Sequence, residues 1–266
     1  MPEGDTIHRA ATALRTALVG RQTLAFSAPR LTTRHPVAGD VIEAVESIGK
    51  HIEITWRSGV VLRTHMRMIG SWHLYRDGER WRLPRRDARV VVTTDEWVAV
   101  CFRAPEVETY VSEPGGVAAA LAHLGPDLCR DDADLATCIH RLIEFPDPEQ
   151  SIAEVLLDQR VACGVGNVFK SEVLFACRVD PFAAVGSIDE SAATALIETA
   201  ATLLRANLSG GSRTTVTSAR APGGLAVYGR SGRPCIDCGT AISFRRHGRH
   251  ARSTYWCPSC QPGPRP

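Results

Sequence analysis

Lysine is almost missing from this chain. Only Lys50 and Lys170 occur among 266 residues, against 29 arginines. Positive charge is therefore carried by a group that keeps its proton, and what a lysine adds is a compact ammonium or a proton it can release. No apolar run approaches the roughly 20 residues of a membrane helix, which excludes a helical membrane protein. The start, Met1-Pro2-Glu3-Gly4-Asp5, has acids where a secretory leader needs a basic residue and an apolar stretch. A cytoplasmic protein is expected, and most of its nine cysteines should then be reduced or metal-bound. Acid is nearly missing from the final segment. Residues 205–266 hold 10 Lys+Arg and one acid, Asp237, whereas residues 129–204 hold 5 and 13 and residues 1–128 hold 16 and 15. The net charge of +2 hides this gradient, which points to a polyanionic partner, most simply nucleic acid.

The hydrophobic period divides the chain. Residues 5–20 read as an amphipathic helix: Asp5 or Thr6 can cap it, Ile7, Ala10, Ala11, Leu14 and Leu18 recur at helical spacing, and Gly20 ends it. From Thr23 to Tyr110 the period shifts toward two. Short runs at Ile52/Ile54/Trp56, Val60–Met66, Val90–Val92 and Trp97–Cys101, parted by turn residues, suggest a β-sandwich. Leu124-Gly125-Pro126-Asp127 breaks that pattern and reads as a linker. Segments Asp131–Phe145, Gln150–Val161, Val168–Cys177 and Asp189–Asn207 then carry helical spacing with acids near their starts. Residues 209–224 are too rich in Gly and Ser for a packed element and predict a mobile loop, with Arg213 and Arg220 flanking its Thr and Ser residues. The expected whole is an α+β multidomain chain: a β-sandwich over 1–123, a linker over 124–130, a helical domain over 131–224 and a basic cysteine-rich appendage over 225–266.

Cys235-x2-Cys238 and Cys257-x2-Cys260, separated by 18 residues, match the pattern of a structural four-thiolate zinc site, each turn presenting two sulfurs to one tetrahedral Zn2+. So small an appendage cannot build a core alone, and the metal must supply folding energy. Between the two turns stand Arg245, Arg246, Arg249 and Arg252 with His247 and His250. A metal-pinned hairpin bearing four guanidiniums suits phosphate contacts, so the ribbon reads as a nucleic-acid grip.

Two other places carry chemistry. Removal of the initiator Met, ordinary before a small residue, would leave Pro2 as a terminal secondary amine. An α-amino group has a pKa of ~7.7–8.0 against ~10.4 for lysine, so roughly a tenth is neutral and nucleophilic at pH 7. Attack on an aldehyde-like carbon gives an iminium ion, an electron sink for elimination, and Glu3 beside it can shuttle protons. In Gly164-Val165-Gly166-Asn167 the glycines allow close backbone approach, and a helix beginning near Asn167 turns its N–H groups and positive dipole end toward an anion. Lys170, one turn in, would add a second charge.

The ordered set of these stretches resembles the formamidopyrimidine-DNA glycosylase / endonuclease VIII family over nearly the whole chain. The stretches are Pro2-Glu3-Gly4 with the first helix, Gly49-Lys50, Leu156-Leu157-Asp158-Gln159 with Gly164–Asn167, His123-Leu124-Gly125-Pro126, and the ribbon with Arg252 before Tyr255-Trp256-Cys257. The resemblance implies a β-sandwich, a helix–two-turn–helix domain and a zinc ribbon, with DNA in the cleft between domains. It implies that Pro2 attacks C1′ of the damaged nucleoside while Glu3 assists base loss, that Lys50 holds phosphate and assists β-elimination, and that Arg252 binds the flanking phosphate and assists δ-elimination. Asn167 would contact backbone phosphate, with Gly166 and Lys170 beside it. Met68 in His65-Met66-Arg67-Met68-Ile69-Gly70 matches the family's inserted apolar wedge and Arg67 a neighbouring DNA contact, although a core role for Met68 stays open.

Three departures from the family pattern matter, the first for proton transfers beyond Glu3 and the other two for substrate. Thr6 stands where the family commonly has Glu, Gly4 follows Pro-Glu in place of Leu, and Phe102-Arg103-Ala104-Pro105-Glu106 replaces the Asp-Pro-Arg-Arg-Phe stretch of the 8-oxoguanine enzymes. The last two favour the endonuclease VIII side and oxidised pyrimidines. The implied partner is DNA bearing abasic or oxidised-base sites, bound by a monomer of bacterial type associated with the nucleoid. A non-catalytic zinc-ribbon protein that binds damaged DNA is the alternative, with Thr6 its best argument. An RNA-directed ribbon lacks an aromatic stacking motif.

Overall fold

In a computed structural model, described for residues 2–111, 121, 123–219, 221 and 223–263, the chain divides into two compact units, Met1–His123 and Leu124–Pro266. The first unit opens with α1 (Gly4–Leu18) and continues through β1 (Ala25–Ser27), β2 (Ile42–Ile48), β3 (His51–Trp56), β4 (Val60–His65), β5 (Ser71–Tyr75), β6 (Ala88–Thr93), β7 (Val98–Phe102) and β8 (Glu106–Val111). These strands form two four-stranded antiparallel sheets, in spatial orders β2-β3-β4-β8 and β1-β6-β7-β5.

Alternation explains the core. Ile52, Ile54 and Trp56 from β3, Val60 and Leu62 from β4 and Val90 and Val92 from β6 are buried in one cluster with the α1 stripe Ile7, Ala11, Leu14 and Leu18. Trp56 keeps its indole N–H satisfied by donating to the Thr23 hydroxyl at 2.7 Å. Strand β8 escapes a period-two reading because its outward side is a polar ladder. The buried guanidinium of Arg63 in β4 reaches Glu53 at 2.7 Å, Glu108 at 3.0 Å and the Tyr110 hydroxyl at 3.0 Å. The first helix differs from expectation at its start. Glu3 is its N-cap residue, without a side-chain capping bond, so Asp5 and Thr6 lie inside the first turn.

Register gathers the loops of the first unit. Cross-strand partners Ile48↔His51, His51↔His65 and His65↔Glu106 set the β2–β3 turn (Gly49-Lys50), the β4–β5 turn (Met66–Gly70) and the start of β8 at one end of a sheet. The first helix runs antiparallel to β2. His8 Nδ1 meets Ser47 Oγ at 3.4 Å, Arg15 Nε donates to the Val45 carbonyl at 2.8 Å, and Gly20 N donates to the Ile42 carbonyl at 2.8 Å. Its N-terminus, with Pro2 and Glu3, therefore points to the same end.

The second unit includes the segment Leu124–Arg130, which does not stand apart as a linker. Gly125 N donates to the Gln159 carbonyl at 2.8 Å, Cys163 N to that of Pro126 at 2.8 Å, and Leu128 is fully buried. Helices α2 (Leu135–Ile143) and α5 (Glu190–Arg205) are capped by the side chains of Asp134 and Asp189, which accept from Thr137 N and Ala192 N. The helix expected over Gln150–Val161 shrinks to α3 (Ile152–Val155). Beyond it the Gln159 side chain organises a loop instead, donating to the Leu157 and Val165 carbonyls and accepting from Gly164 N. Helix α4 (Asn167–Ala176) follows, and β9 (Ser243–His247) pairs with β10 (Arg252–Trp256) in the appendage.

The 209–224 segment holds no helix or strand among the described residues, and Arg220 lies outside them. Its neck is tied: Asn207 and Thr214 exchange two bonds of 2.8 Å, Thr215 N donates to the Gly224 carbonyl at 2.7 Å, and the Thr215 hydroxyl donates to Glu172. Among the described residues no helix is long and apolar enough to cross a membrane.

The β4–β5 turn supplies a stability test. Gly70 N donates to the Met66 carbonyl at 2.8 Å, and a Cβ at Gly70 would fall 2.7 Å from that oxygen and 3.1 Å from Ala104 Cα. These are backbone atoms that cannot rotate away. Gly70→Ala is expected to lower the stability of the first unit by about 1–3 kcal/mol, read by urea unfolding.

Candidate active site and nucleic-acid interface

At the gathered end of the first unit Pro2 is half-buried and Glu3 wholly buried. The Glu3 carbonyl accepts the Ile7 N–H at 3.0 Å, which fixes the two residues against the first helical turn. Asp5, also buried, accepts the Thr6 hydroxyl at 3.2 Å and faces Arg9 at 3.7 Å. Lys50 is half-buried in the β2–β3 turn, which Gly49 enters at a φ of 59°.

Beside Lys50 lies a feature the sequence reading missed. The rings of His51 and His65 pack with centroids 4.6 Å apart, and the Nδ1 atoms of both are buried with no hydrogen-bond partner among the described residues. Burial pushes both imidazoles down. His65 falls to about 4 through desolvation, then His51, with Arg67 and Lys50 adding to the fall and Glu106 opposing it. Two neutral rings thus pack together where β3 begins, directly after the turn that carries Lys50. Their signal is present in sequence as the first residue of β3 and the last of β4, but only the register makes them neighbours.

Met68 is not a core residue. It is 57% exposed at the tip of the β4–β5 turn, next to Ile69 at 66%, so two apolar side chains stand out together. Arg67 adopts a left-handed φ of 47° and its Nε donates to Glu106 at 2.6 Å, which ties the base of the turn to β8. Arg103, in the stretch that departs from the family pattern, pairs with Asp87 at 2.6 Å.

In the second unit Gly166 is the N-cap residue of α4, in an extended conformation that any residue adopts. Gly164 does require glycine, at a φ of 103° and with Leu204 closing on its missing Cβ at 3.2 Å. Asn167 is buried, and its Nδ2 donates to the Ser253 carbonyl at 2.8 Å. The expectation that Lys170 adds a surface charge beside it needs correction. Lys170 is 1% exposed, and its Nζ donates to Asn167 Oδ1 at 2.9 Å, Ser253 O at 3.1 Å and Thr254 Oγ1 at 2.9 Å. It fastens β10 to α4 immediately beside Arg252, which is exposed.

The hairpin turn before Arg252 is held as well. Glu154 accepts the Arg249 N–H at 2.9 Å and the Ser151 hydroxyl at 3.2 Å, and Ser151 Oγ lies 2.7 Å from His247 Nε2. Arg245 lies over the Phe182 ring at 3.3 Å, a cation–π contact that restrains it. Glu172, buried in α4, accepts N–H bonds from Ala226, Val227 and Tyr228 at 2.7–2.9 Å besides the Thr215 hydroxyl. Sequence gave no hint of that junction, because its partners are backbone groups.

The sulfurs of Cys235, Cys238, Cys257 and Cys260 lie within 4.8 Å of one another. Cys235–Cys260 is 3.9 Å and Cys238–Cys257 is 3.5 Å. Four thiolates about 2.3 Å from a tetrahedral ion would be spaced by about 3.8 Å, so the cluster fits such an ion and is far too open for disulfides of about 2.05 Å.

A sandwich ending in a buried glutamate beside an N-terminal proline, together with a helical unit carrying a four-cysteine hairpin, defines a DNA-repair glycosylase architecture. Comparison with known proteins bears this out. Residues 1–111 match the formamidopyrimidine-DNA glycosylase N-terminal domain and residues 124–218 the formamidopyrimidine-DNA glycosylase H2TH domain. The chain is 38% identical to a probable endonuclease 8 2 of Streptomyces coelicolor, over 100% of its own length and 96% of that protein. It is 37% identical to the DNA-(apurinic or apyrimidinic site) lyase Nei2 of Mycolicibacterium smegmatis, over 98% and 99%. Its fold superposes with a TM-score of 0.82, at 20% identity, on Lactococcus lactis formamidopyrimidine-DNA glycosylase bound to DNA containing an abasic site, covering 98% of this chain and 100% of that one. The chain belongs to the formamidopyrimidine-DNA glycosylase / endonuclease VIII family, a family of glycosylase/lyase enzymes.

The histidine pair predicts an acid-side weakness. An unfolded histidine takes its proton near pH 6.5 and folded His65 only near pH 4, so the unfolded state binds more protons between those values. Stability is expected to be intact above about pH 6.5 and to fall as pH drops toward 4. Thermal unfolding of His65→Gln should lose part of that pH dependence relative to the parent; an identical pH profile would show that His65 is protonated in the fold.

Proposed function

We propose that this protein is a bifunctional DNA glycosylase and abasic-site lyase that removes oxidised bases, with a preference for pyrimidines, and cuts the strand by β,δ-elimination. What supports the reading most is the meeting of Pro2 and Glu3 with Lys50 at one end of the sandwich, on top of the family membership. With Met1 removed, the Pro2 amine attacks C1′ of the damaged nucleoside and the base departs. Glu3 then relays a proton as the sugar ring opens, and the resulting iminium ion acidifies the neighbouring C2′ hydrogen. Loss of that proton expels the 3′ phosphate, and a second elimination expels the 5′ phosphate. Lys50 and Arg252 hold those phosphates and offset the charge that develops on them. Asn167 and the N-terminal end of α4 take a further backbone phosphate, and Lys170 acts through its grip on β10 as a positioning residue. Met68 fills the gap left by the displaced nucleotide, with Ile69 beside it and Arg67 setting the turn. The partner is DNA with abasic or oxidised-base sites, met by a monomer in the cytoplasm.

The four cysteines hold one structural zinc ion, which stabilises the hairpin and takes no part in the reaction. Metal analysis should find about one zinc per chain, and Cys257→Ser should weaken DNA binding far more than it destabilises the first unit. Undiminished affinity with a full zinc complement in that variant would remove the ribbon from the reading.

Borohydride should trap one covalent complex with an abasic oligonucleotide, linked through the N-terminal peptide. Retaining Met1, or Pro2→Gly, should abolish or sharply reduce trapping, whereas equal trapping in a Met1-blocked form would transfer the role to Lys50. In the same assay format 5-hydroxyuracil or thymine glycol should be released faster than 8-oxoguanine opposite cytosine. The reverse order would overturn the pyrimidine preference and leave the mechanism standing.

A further inference from the structure

The connection between β5 and β6 carries Arg80-Trp81-Arg82-Leu83-Pro84-Arg85-Arg86, four arginines in seven residues without an acid. It is not a loose loop. Trp81 and Leu83 pack into a second apolar cluster with Tyr75, Val100 and Phe102 on the outer face of the β1-β6-β7-β5 sheet, and Arg82 N donates to the Tyr75 hydroxyl at 3.0 Å. Alternate residues are thereby pinned, while Arg80, Arg82, Arg85 and Arg86 are all exposed. Of the three acids nearby, Asp77, Glu79 and Asp87, two are engaged elsewhere. Asp87 pairs with Arg103 at 2.6 Å, and Glu79 accepts the Arg76 N–H at 2.9 Å. The Arg85 guanidinium is restrained over the Trp81 ring at 4.5 Å, a face contact that leaves its N–H edges available. A stretch that places its hydrophobic residues inward and four guanidiniums outward is built for an anionic surface, since planar forks suit phosphate oxygens.

Its placement says which anion. The connection ends in a single 3-10 turn at Arg85–Asp87, where Arg103 N donates to the Asp87 carbonyl at 2.9 Å. Phe102 is the partner of both Ser71 and Ala88, so the starts of β5 and β6 lie at the same end of their sheet. Ser71 directly follows the Met68 turn. The Arg85–Arg86 turn is thus at the end that gathers Lys50 and Met68, two strand positions across from the latter. Strand spacing of ~4.8 Å makes that roughly 10 Å, or about three base pairs at ~3.4 Å per nucleotide. Arg89 adds a related observation. It is the extra residue of a bulge between Ala88 and Val90, and its Nε is buried with no partner among the described residues.

We propose that Arg80, Arg82, Arg85 and Arg86 form a phosphate-binding rim on the sandwich that grips one duplex arm, beginning about three base pairs from the nucleotide Met68 displaces. The inference rests on the DNA-repair reading of Met68 and extends the DNA footprint to residues outside the catalytic set. It needs no base contact, so the rim strengthens binding equally for every lesion and every flanking sequence.

The test measures binding to a duplex with a central stable abasic-site analogue across a range of salt. Arg85→Ala/Arg86→Ala should flatten the slope of log affinity against log salt by about 1.8, two phosphates at ~0.9 each, and Arg80→Ala/Arg82→Ala by a comparable amount. Arg85→Lys/Arg86→Lys should keep most of the slope, because counterion release follows charge. Trimming one arm to two base pairs beyond the lesion should make parent and alanine variants alike. Borohydride trapping at saturating protein should survive in all of them, which separates this outcome from a failure of the Pro2 mechanism. An unchanged salt slope in both alanine pairs overturns the proposal and leaves the rim to an acidic protein surface; equal sensitivity to trimming in parent and variants overturns the placement.

Discussion

Lys170 fastens β10 of the appendage to α4 within the second unit. An ammonium almost wholly out of water is costly, and here three oxygens from Asn167, Ser253 and Thr254 offset that cost. Two of the three lie on β10, directly after Arg252, so the position of the Arg252 backbone depends on a charge seated in α4. Removing that one nitrogen would take a donor from the buried oxygens of Asn167 and Thr254, while the Asn167 amide would still hold the Ser253 carbonyl. Glu172, two residues further along α4, repeats the device with the opposite sign, its carboxylate seated on three backbone N–H groups. A short helix thus fastens the ribbon by a buried cation and the neck of the 215–224 segment by a buried anion.

The first unit achieves its organisation through register rather than buried charge. Each strand can supply only its terminal residues to the functional end, and antiparallel pairing brings those termini side by side. The histidine pair shows the consequence. His51 and His65 are fourteen positions apart in the chain, yet they are cross-strand partners whose rings pack tilted against one another. Neutral rings next to Lys50 in the chain add no positive charge of their own beside its ammonium.

Much of this was legible in the sequence, and the rest was hidden for physical reasons. The sandwich showed in the alternation of Ile52, Ile54 and Trp56, and the four-cysteine cluster in the spacing of its cysteines, because both signals are local. Gln150–Val161 misled, since helical spacing continues past Val155 while the Gln159 amide diverts the backbone into a loop. Lys170 misled more instructively. One turn after Asn167 looks like a second phosphate ligand, but whether a lysine faces solvent or a neighbouring strand is decided by tertiary packing of β10. Met68 could not be assigned to core or surface from its neighbours, because its 57% exposure follows from the closing of the β4–β5 turn in three dimensions.

The scarcity of lysine has a chemical consequence once Lys170 is seen to be sealed. A primary amine condenses with any sugar aldehyde it meets, whereas a guanidinium, protonated at every physiological pH, does not. A protein that grips DNA with arginines, and keeps one of its two lysines out of solvent, can sit on an opened deoxyribose without its own surface reacting at random. In the proposed reaction the charge that would hold the substrate is thereby separated from the nucleophilicity that would attack it. Chemical selectivity of this kind is set by amino-acid composition as much as by active-site geometry, and it leaves the chain little opportunity to become covalently stranded on its own product.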